Sequence, residues 1–387
     1  MLRAGIMRRL AACVVACILI VSSAAASVAA QGELELQSRG AILIDATTGK
    51  ELYAKNADDP MPPASLTKIM TLYLAFKAIE EGQVSLSDTV VTSPEAASLG
   101  GSQIWLEPGE EMSLRDMLLA VAVGSANDAS VAVGEHIAGT RAKFVELMNE
   151  TARELGMTNT SFRNEHGQDE EGHLMSPRDV AVISRYAVKY PGLLEMTSTW
   201  EEYLRGGDLW LVNTNRLLKH FPGVDGLKTG WTNQAGYCLA ASAKRGDTRL
   251  IAVVMGAPNS TVRFAEVSKL LTYGFANFVT VPVAPGGEPL GEVTVHKGRV
   301  DEVAVVLLED LAVTVEKGAA EDIRHRIELA SAVEAPVEKG QPLGTIVVER
   351  EGEVIEEATL VAAAGVERLG LWGLFMKTLR AVLTFYR

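Results

Sequence analysis

Strand signals stand at both ends of the stretch before Pro282, with helix signals between them, and this order limits the fold more than any other feature. At the near end, Gly40 to Asp45 and Glu51 to Ala54 flank Thr47-Thr48-Gly49-Lys50, a hairpin pattern. At the far end, Gly226 to Thr229, Gly236 to Ala243 and Leu250 to Gly256 read as strands, the last two joined across Lys244-Arg245-Gly246-Asp247. The middle carries helical periodicity over Leu66 to Glu80, Met117 to Val123, Ala129 to Ile137, Arg141 to Leu155 and Pro177 to Val188, the last stopped before Pro191. Ser113 and Asp116 form a capping box ahead of the second of these. A long helix, Val262 to Phe278, closes the stretch. The expectation is an α/β (α+β) domain: one mainly antiparallel sheet completed by both ends of the segment, with interior helices on both of its sides.

At 387 residues the chain has room for a second domain. After Pro282 and Pro285-Gly286-Gly287 come short β-type runs at Val293 to Val295, Val303 to Leu308, Leu311 to Val315, Arg326 to Ala330 and Gly344 to Glu349. They predict a small all-β domain over 283–364, without a catalytic constellation. Residues 366–387 follow as an amphipathic helix. Gly373, Lys377, Arg380, Thr384 and Arg387 fall on one stripe, while Leu371, Trp372, Phe375, Leu379, Val382, Leu383 and Tyr386 fall opposite. Such a helix suits a membrane interface, and docking on the β domain is the alternative. The first thirty residues read as a signal peptide, 1–30: Arg3, Arg8 and Arg9, an apolar core Leu10 to Val21, then small residues to Ala30. Export leaves 31–281 as the first folded domain and Cys238 as the one cysteine of the mature chain, read as a core thiol between Tyr237 and Leu239. A net charge of −13 argues against nucleic acid as a partner.

The chemistry begins at Pro62-Pro63-Ala64-Ser65-Leu66-Thr67-Lys68. The prolines place Ser65 in the first turn of a helix, and Lys68, three residues on, lies on the same face. A hydroxyl beside an amine at the positive end of a helix is a nucleophile–base pair in outline. About one Ser-x-x-Lys is expected by chance in a chain this long, so the pair needs partners. Ser125-Ala126-Asn127 is the only Ser-x-Asn and Lys228-Thr229-Gly230 the only Lys-Thr-Gly. The three motifs follow the order and rough spacing of penicillin-recognising serine enzymes, each in its predicted context of helix start, inter-helix turn and strand.

Further stretches narrow the resemblance. Asn164-x-His166-Gly167 leading to Gly172-His173 and Ser176-Pro177-Arg178-Asp179, Asn213-x-Asn215-x-Leu217-Leu218, Gly226-x-Lys228-Thr229-Gly230-x-Thr232 and Ala335-Pro336-Val337-x-Lys339-Gly340 look like the low-molecular-mass penicillin-binding proteins. Specifically, they resemble the D-alanyl-D-alanine carboxypeptidases that trim peptidoglycan stem peptides. The resemblance runs from about Leu36 to the C-terminus. It implies a transpeptidase-like catalytic domain related to the serine β-lactamases, the β-rich domain and an anchoring helix. It also implies a place in the periplasm or on the outer face of the cytoplasmic membrane.

The resemblance implies these roles. Ser65 attacks the carbonyl of the penultimate D-alanine and Lys68 accepts its proton, with a pKa lowered by burial near Lys228. Ser125 relays the proton to the departing D-alanine, and Asn127 holds the substrate amide. The N–H groups of Ser65 and Trp231 form the oxyanion hole. Lys228 and Thr229 take the terminal carboxylate, Gly230 leaves room along the strand, and Arg263 stands near that carboxylate or is a surface helix arginine. No cofactor or metal is implied. The partners are stem peptides ending in D-Ala-D-Ala, β-lactams as covalent inhibitors, and a membrane surface. Trp231 stands where histidine is common, and Gln168 where an apolar residue is usual. A serine β-lactamase shares the three motifs, but no Glu-x-x-Leu-Asn element is present. A D,D-endopeptidase acting on crosslinks is a further alternative. A zinc peptidase using His166, Asp169 and His173 lacks the His-Glu-x-x-His pattern. A non-catalytic wall-binding module would not need the intact set.

Overall fold

The computed structural model describes residues 34–385, so the expected signal peptide lies outside the described residues. Strands β1 (Gly40–Asp45) and β2 (Glu51–Lys55) form the expected hairpin, whose turn is tied by Asp45 Oδ1 accepting from Thr47 N at 2.8 Å and Thr48 N at 3.0 Å. A 3-10 turn over Ala64–Thr67 runs into α1 (Lys68–Glu80). Then come β3 (Thr89–Val91), α2 (Pro94–Ala97), β4 (Glu111–Ser113), α3 (Leu114–Ala122), α4 (Asn127–Ala138), α5 (Arg141–Glu154) and α6 (Pro177–Ala187). Ser113 caps α3 as expected, accepting from Asp116 N at 3.1 Å. Next are α7 (Pro191–Ser198), a hairpin of β5 (Glu201–Leu204) with β6 (Leu209–Val212), and α8 (Leu217–His220), none of which the sequence pattern foretold. Pro191 starts α7 at its first helical position, where a missing N–H is harmless, instead of merely ending α6.

The last strands, β7 (Val224–Thr232), β8 (Gly236–Arg245) and β9 (Thr248–Ala257), join the N-terminal hairpin in one antiparallel five-stranded sheet of order β2-β1-β9-β8-β7. Strands β1 and β9 are buried on both faces, so both need cover. Ile42, Ile44, Ile251, Val253 and Met255 face one core shared with Leu72, Leu118, Val131 and Ile183 of the interior helices. Leu43 and Leu250 point the other way, at α9 (Ser260–Asn277), where a Cβ on Gly274 would stand 2.5 Å from Leu250 Cδ1. The expectation of interior helices on both sides is thus corrected: they gather on one face, and the closing helix takes the other. Helix α1 explains why. It is buried almost all round, so neighbouring helices must enclose it in a single layer.

Strand β10 (Phe278–Ala284) leads into an all-β region and pairs with β13 (Leu311–Glu316). The six-stranded sheet of that region contains β11 (Gly291–His296), β12 (Glu302–Val306), β14 (Ile323–Leu329), β15 (Ala332–Glu334), β16 (Pro342–Arg350) and β17 (Glu353–Ala362), in the order β14-β16-β17-β12-β11-β15. Helix α10 (Leu371–Phe385) follows, with Lys377 Nζ donating to Gly298 O at 3.2 Å and paired with Asp301. Among the described residues no helix is long and apolar enough to cross a membrane.

Candidate active site

Pro63 caps the 3-10 turn, and Ala64 sits at φ +49°, a left-handed conformation costly for a residue with a Cβ. The sequence predicts an α-helical first turn here, whereas the structure has the tighter 3-10 form. In that geometry residues i and i+3 eclipse. Ser65 and Lys68 are such a pair, and Lys68 Nζ lies 3.1 Å from Ser65 Oγ. The turn is braced from behind. Thr67 Oγ1 donates to Ala64 O at 2.9 Å, and His173 Nε2 lies 2.8 Å from Thr67 Oγ1. Because His173 Nδ1 accepts from Arg163 N at 2.9 Å, the ring proton belongs on Nε2. Burial, more than any neighbouring charge, lowers the His173 pKa to about 4, so the ring stays neutral.

The Lys68 amine is fully buried and makes two further bonds, to Asn127 Oδ1 at 2.7 Å and to the His166 carbonyl at 2.5 Å. Burial first, and the Lys228 cation second, hold it well below the ordinary lysine range. Asn127 opens α4 after the link in which Ser125, also buried, adopts φ +61°. The link is pinned to the 100–106 loop: Asn127 N donates to Ser102 O at 2.7 Å and Asn127 Nδ2 to Gly100 O at 2.7 Å.

Strand β7 is the sheet edge that runs beside the Ser65 turn. A Cβ on Gly230 would stand 3.1 Å from Pro63 O and from Ser65 N, so any side chain there would press on the Ser65 backbone. Lys228 is buried, donates to Thr229 O at 3.1 Å, and has its pKa lowered to about 7, by burial first and by Arg263 second. Thr229 Oγ1 lies 2.6 Å from Thr214 Oγ1. Arg263, on α9, donates to Gly230 O at 3.1 Å and Cys238 O at 3.3 Å, while its buried Nε meets no partner among the described residues. It is buried, so the surface-arginine alternative is set aside. The Trp231 ring is half exposed and lies 5.9 Å from that of Tyr237.

The fold therefore joins Ser65, Lys68 and Asn127 by direct hydrogen bonds, sets Gly230 against the Ser65 backbone, and brings Arg263 to the Gly230 carbonyl. Ser125 is buried two residues before Asn127, in the same link. Two contributors carried no usable sequence signal. Thr214 occupies the unnamed position of Asn213-x-Asn215, and the His166 carbonyl is a backbone group with no residue signature. The trio His166, Asp169 and His173 is spent on loop contacts: the neutral His166 ring lies 3.0 Å from Arg141 Nη2 and 3.2 Å from Gln168 N and accepts from one of them, and Asp169 Oδ1 accepts from Thr232 Oγ1 at 2.6 Å. A serine hydroxyl beside a buried, proton-poor amine, with a buried lysine on the edge strand next to the turn, suits acyl transfer from a substrate bearing a carboxylate.

The model of a D-alanyl-D-alanine carboxypeptidase family matches residues 25–259, and that of a penicillin-binding protein 5 C-terminal domain matches residues 278–368. The D-alanyl-D-alanine carboxypeptidase DacF of Bacillus subtilis (strain 168) is 43% identical over 351 residues, 90% of each chain. The crystal structure of penicillin binding protein 5 from Haemophilus influenzae superposes with a TM-score of 0.76 at 34% identity, covering 86% of this chain and 98% of that one. Penicillin-Binding Protein D2 from Listeria monocytogenes, solved in its cefotaxime-bound form, aligns at 34% identity and a TM-score of 0.59, covering 63% of this chain and all (100%) of its own.

Proposed function

The chain belongs to the D-alanyl-D-alanine carboxypeptidase family and is a serine-type hydrolase of that class, and from that premise we propose how its residues divide the work. It removes the terminal D-alanine from peptidoglycan stems ending in D-Ala-D-Ala and binds penicillin. Ser65 is the nucleophile. Its hydroxyl proton passes to the Lys68 amine as the oxygen attacks the penultimate carbonyl, and the oxyanion is held by the N–H groups of Ser65 and Trp231. Ser125 relays a proton to the departing amine, so D-alanine leaves neutral at nitrogen and an ester remains on Ser65. Asn127 Nδ2 spends one N–H on Gly100 O and has a second to offer the substrate amide. Lys228, Thr229 and Arg263 bind the terminal carboxylate, and Gly230 lets the peptide lie along β7. Water then hydrolyses the ester. A β-lactam enters the same path and stops at the ester.

The observation that carries this reading is the 3.1 Å approach of a fully buried amine to the Ser65 hydroxyl. Labelled penicillin and a peptide ending in D-Ala-D-Ala, each incubated with the purified protein and with Ser65→Ala, test it. A covalent adduct and released D-alanine are expected, both lost in the variant. Activity that survives Ser65→Ala but not a chelator would transfer the reading to a metallopeptidase. Rapid penicillin turnover without peptide cleavage would make the protein a lactamase.

The remaining assignments extend the same reading. Residues 31–281 act as the catalytic domain, exported behind a signal peptide at 1–30, and residues 283–364 form a spacer. Residues 366–387 hold the enzyme at the outer face of the membrane. The exposed apolar side of α10, with Leu371, Trp372 and Phe375, supports the last of these.

A further inference from the structure

Acylation asks more of Lys68 than proximity, an inference that rests on the proposed role of Lys68 as the base. A neutral amine has two N–H donors and one lone pair. Two of the three neighbours of Lys68 Nζ, Asn127 Oδ1 and the His166 carbonyl, are oxygens that can only accept. They take both N–H groups and leave the lone pair facing the Ser65 hydroxyl. Moving either oxygen would turn the lone pair away from the proton it must receive. Asn127 is fixed by its own bond to Gly100 O. The His166 carbonyl depends on the loop that carries it.

That loop is gripped from two sides. Thr71, three residues beyond Lys68 on α1, donates to Glu165 O at 2.7 Å. From the other side Arg141, the first residue of α5, spreads its guanidinium over three partners. Nε donates to Glu165 Oε1 at 3.0 Å and Oε2 at 3.2 Å, Nη2 faces His166 Nε2 at 3.0 Å, and Nη1 donates to Glu95 Oε1 at 2.9 Å. The Glu165 side chain is 0% exposed, and a carboxylate so enclosed needs a cation, which Arg141 supplies. We propose that Arg141 is a positioning residue for acylation: by clamping Glu165 and His166 together it sets the His166 carbonyl, and through it the direction of the Lys68 lone pair.

The electrostatics run the same way. Lys68 is faced by Lys228 from β7, Asp128 from α4, Glu165 with a neutral His166 from the loop, and the neutral His173 behind the turn. Glu165 in turn is faced by Arg141 and by Glu95 from α2. Glu165 and Asp128 favour the ammonium form of Lys68, whereas burial and Lys228 oppose it. With Arg141 gone, the enclosed Glu165 loses the cation that holds its pKa down and takes up a proton, so its support for the Lys68 ammonium falls away and the amine gives up its proton at lower pH.

The test is the rate of acylation by labelled penicillin across pH, measured on the full chain and on Arg141→Met, Arg141→Lys, Arg141→Met/Glu165→Gln and Lys68→Ala. Arg141→Met should acylate roughly 10- to 100-fold more slowly, the scale on which a displacement of about 1 Å acts, with its acidic limb moved to lower pH. Arg141→Lys keeps the charge but loses the fork, so it should lose rate with the limb unmoved. The double variant, with no charge left to lose at position 165, should match Arg141→Met in both limb and rate. Wild-type rate and limb in Arg141→Met would overturn the proposal, as would equal losses in Arg141→Met and Arg141→Lys with neither limb moved. Should Arg141→Met fail to fold, Arg141→Lys decides alone, and a wild-type rate in it refutes the clamp. Normal acylation by Lys68→Ala would instead overturn the reading of Lys68 as base.

Discussion

Two buried lysines with different tasks give the site its expected pH behaviour. As the proposed base, Lys68 must be neutral to accept a proton, and burial reinforced by Lys228 holds its pKa well below 10.5. Acylation by penicillin should therefore rise with pH through a limb far below that of a free lysine and be lost in Lys68→Ala, as stopped-flow labelling would show. As the proposed carboxylate clamp, Lys228 has the opposite requirement, because it must be cationic to bind a carboxylate. Its pKa of about 7 means that the charge is present below that value and is lost as pH rises through it. The KM for a peptide with a free C-terminal carboxylate should then climb on the alkaline side, by about tenfold if a charge-assisted bond at the low end of its range, near 1.5 kcal/mol, is lost. A peptide with an amidated end presents no charge and should show no such climb. If both peptides respond alike, Lys228 is not the clamp. Residues of this kind were legible in the sequence because side-chain letters at set spacings carry their chemistry: Ser65 and Lys68 three apart, Lys228 beside Thr229. The His166 carbonyl and the Arg141–Glu165 pair were not, since one is backbone and the other joins residues whose pairing only the folded loop reveals.

Elements hold those residues through close backbone approaches. Gly167 has φ +89°, and a Cβ there would lie 1.9 Å from Ala64 O, inside the turn that presents Ser65. Gly167→Ala should cost about 1–3 kcal/mol through strain and overpacking. It should also slow acylation beyond what the stability loss explains, because the turn must shift; urea melts beside acylation rates separate the two effects. Asp128 does comparable work for the loop that anchors Asn127. Its buried carboxylate accepts from Ile104 N at 3.2 and 3.1 Å and from Leu106 N at 3.1 Å. Asp128→Ala leaves those enclosed donors unpaired, about 1–3 kcal/mol in a melt, and should weaken substrate binding through Asn127. A melt unchanged in that variant would mean that water or backbone takes over. The sheet and its long helices were readable from periodicity, whereas α7 was hidden by Pro191, which can end one helix and begin the next. Strand β17 was hidden by its exposed, acidic first half, Glu353, Glu356 and Glu357, which looks like a solvated run until β16 is seen to pair with it.

At the scale of the whole molecule, the catalytic sheet and the all-β region are tied at the hairpin of the first two strands. Thr48 Oγ1 lies 2.6 Å from Thr314 Oγ1, Lys50 Nζ donates to Thr314 O at 2.9 Å, and Thr280 Oγ1 bonds the Asp45 carboxylate. None of these ties reaches α10, so the tail and the catalytic machinery are separable by deletion. The tail presents Leu371 at 91% exposure, Trp372 at 75% and Phe375 at 55%, a degree of apolar display that a helix packed on its own domain would not keep. Transferring three such side chains into a bilayer interface is worth on the order of 5 kcal/mol, enough for reversible attachment and far short of a span. A chain ending at residue 370 should therefore stay in the supernatant when vesicles containing anionic lipid are sedimented, while the full chain goes down with them. Its acylation rate and melting midpoint should match those of the full chain. Docking on the β domain predicts the reverse, a lowered midpoint with vesicle binding unaltered, and a truncated chain that still sediments would move the anchor to another surface.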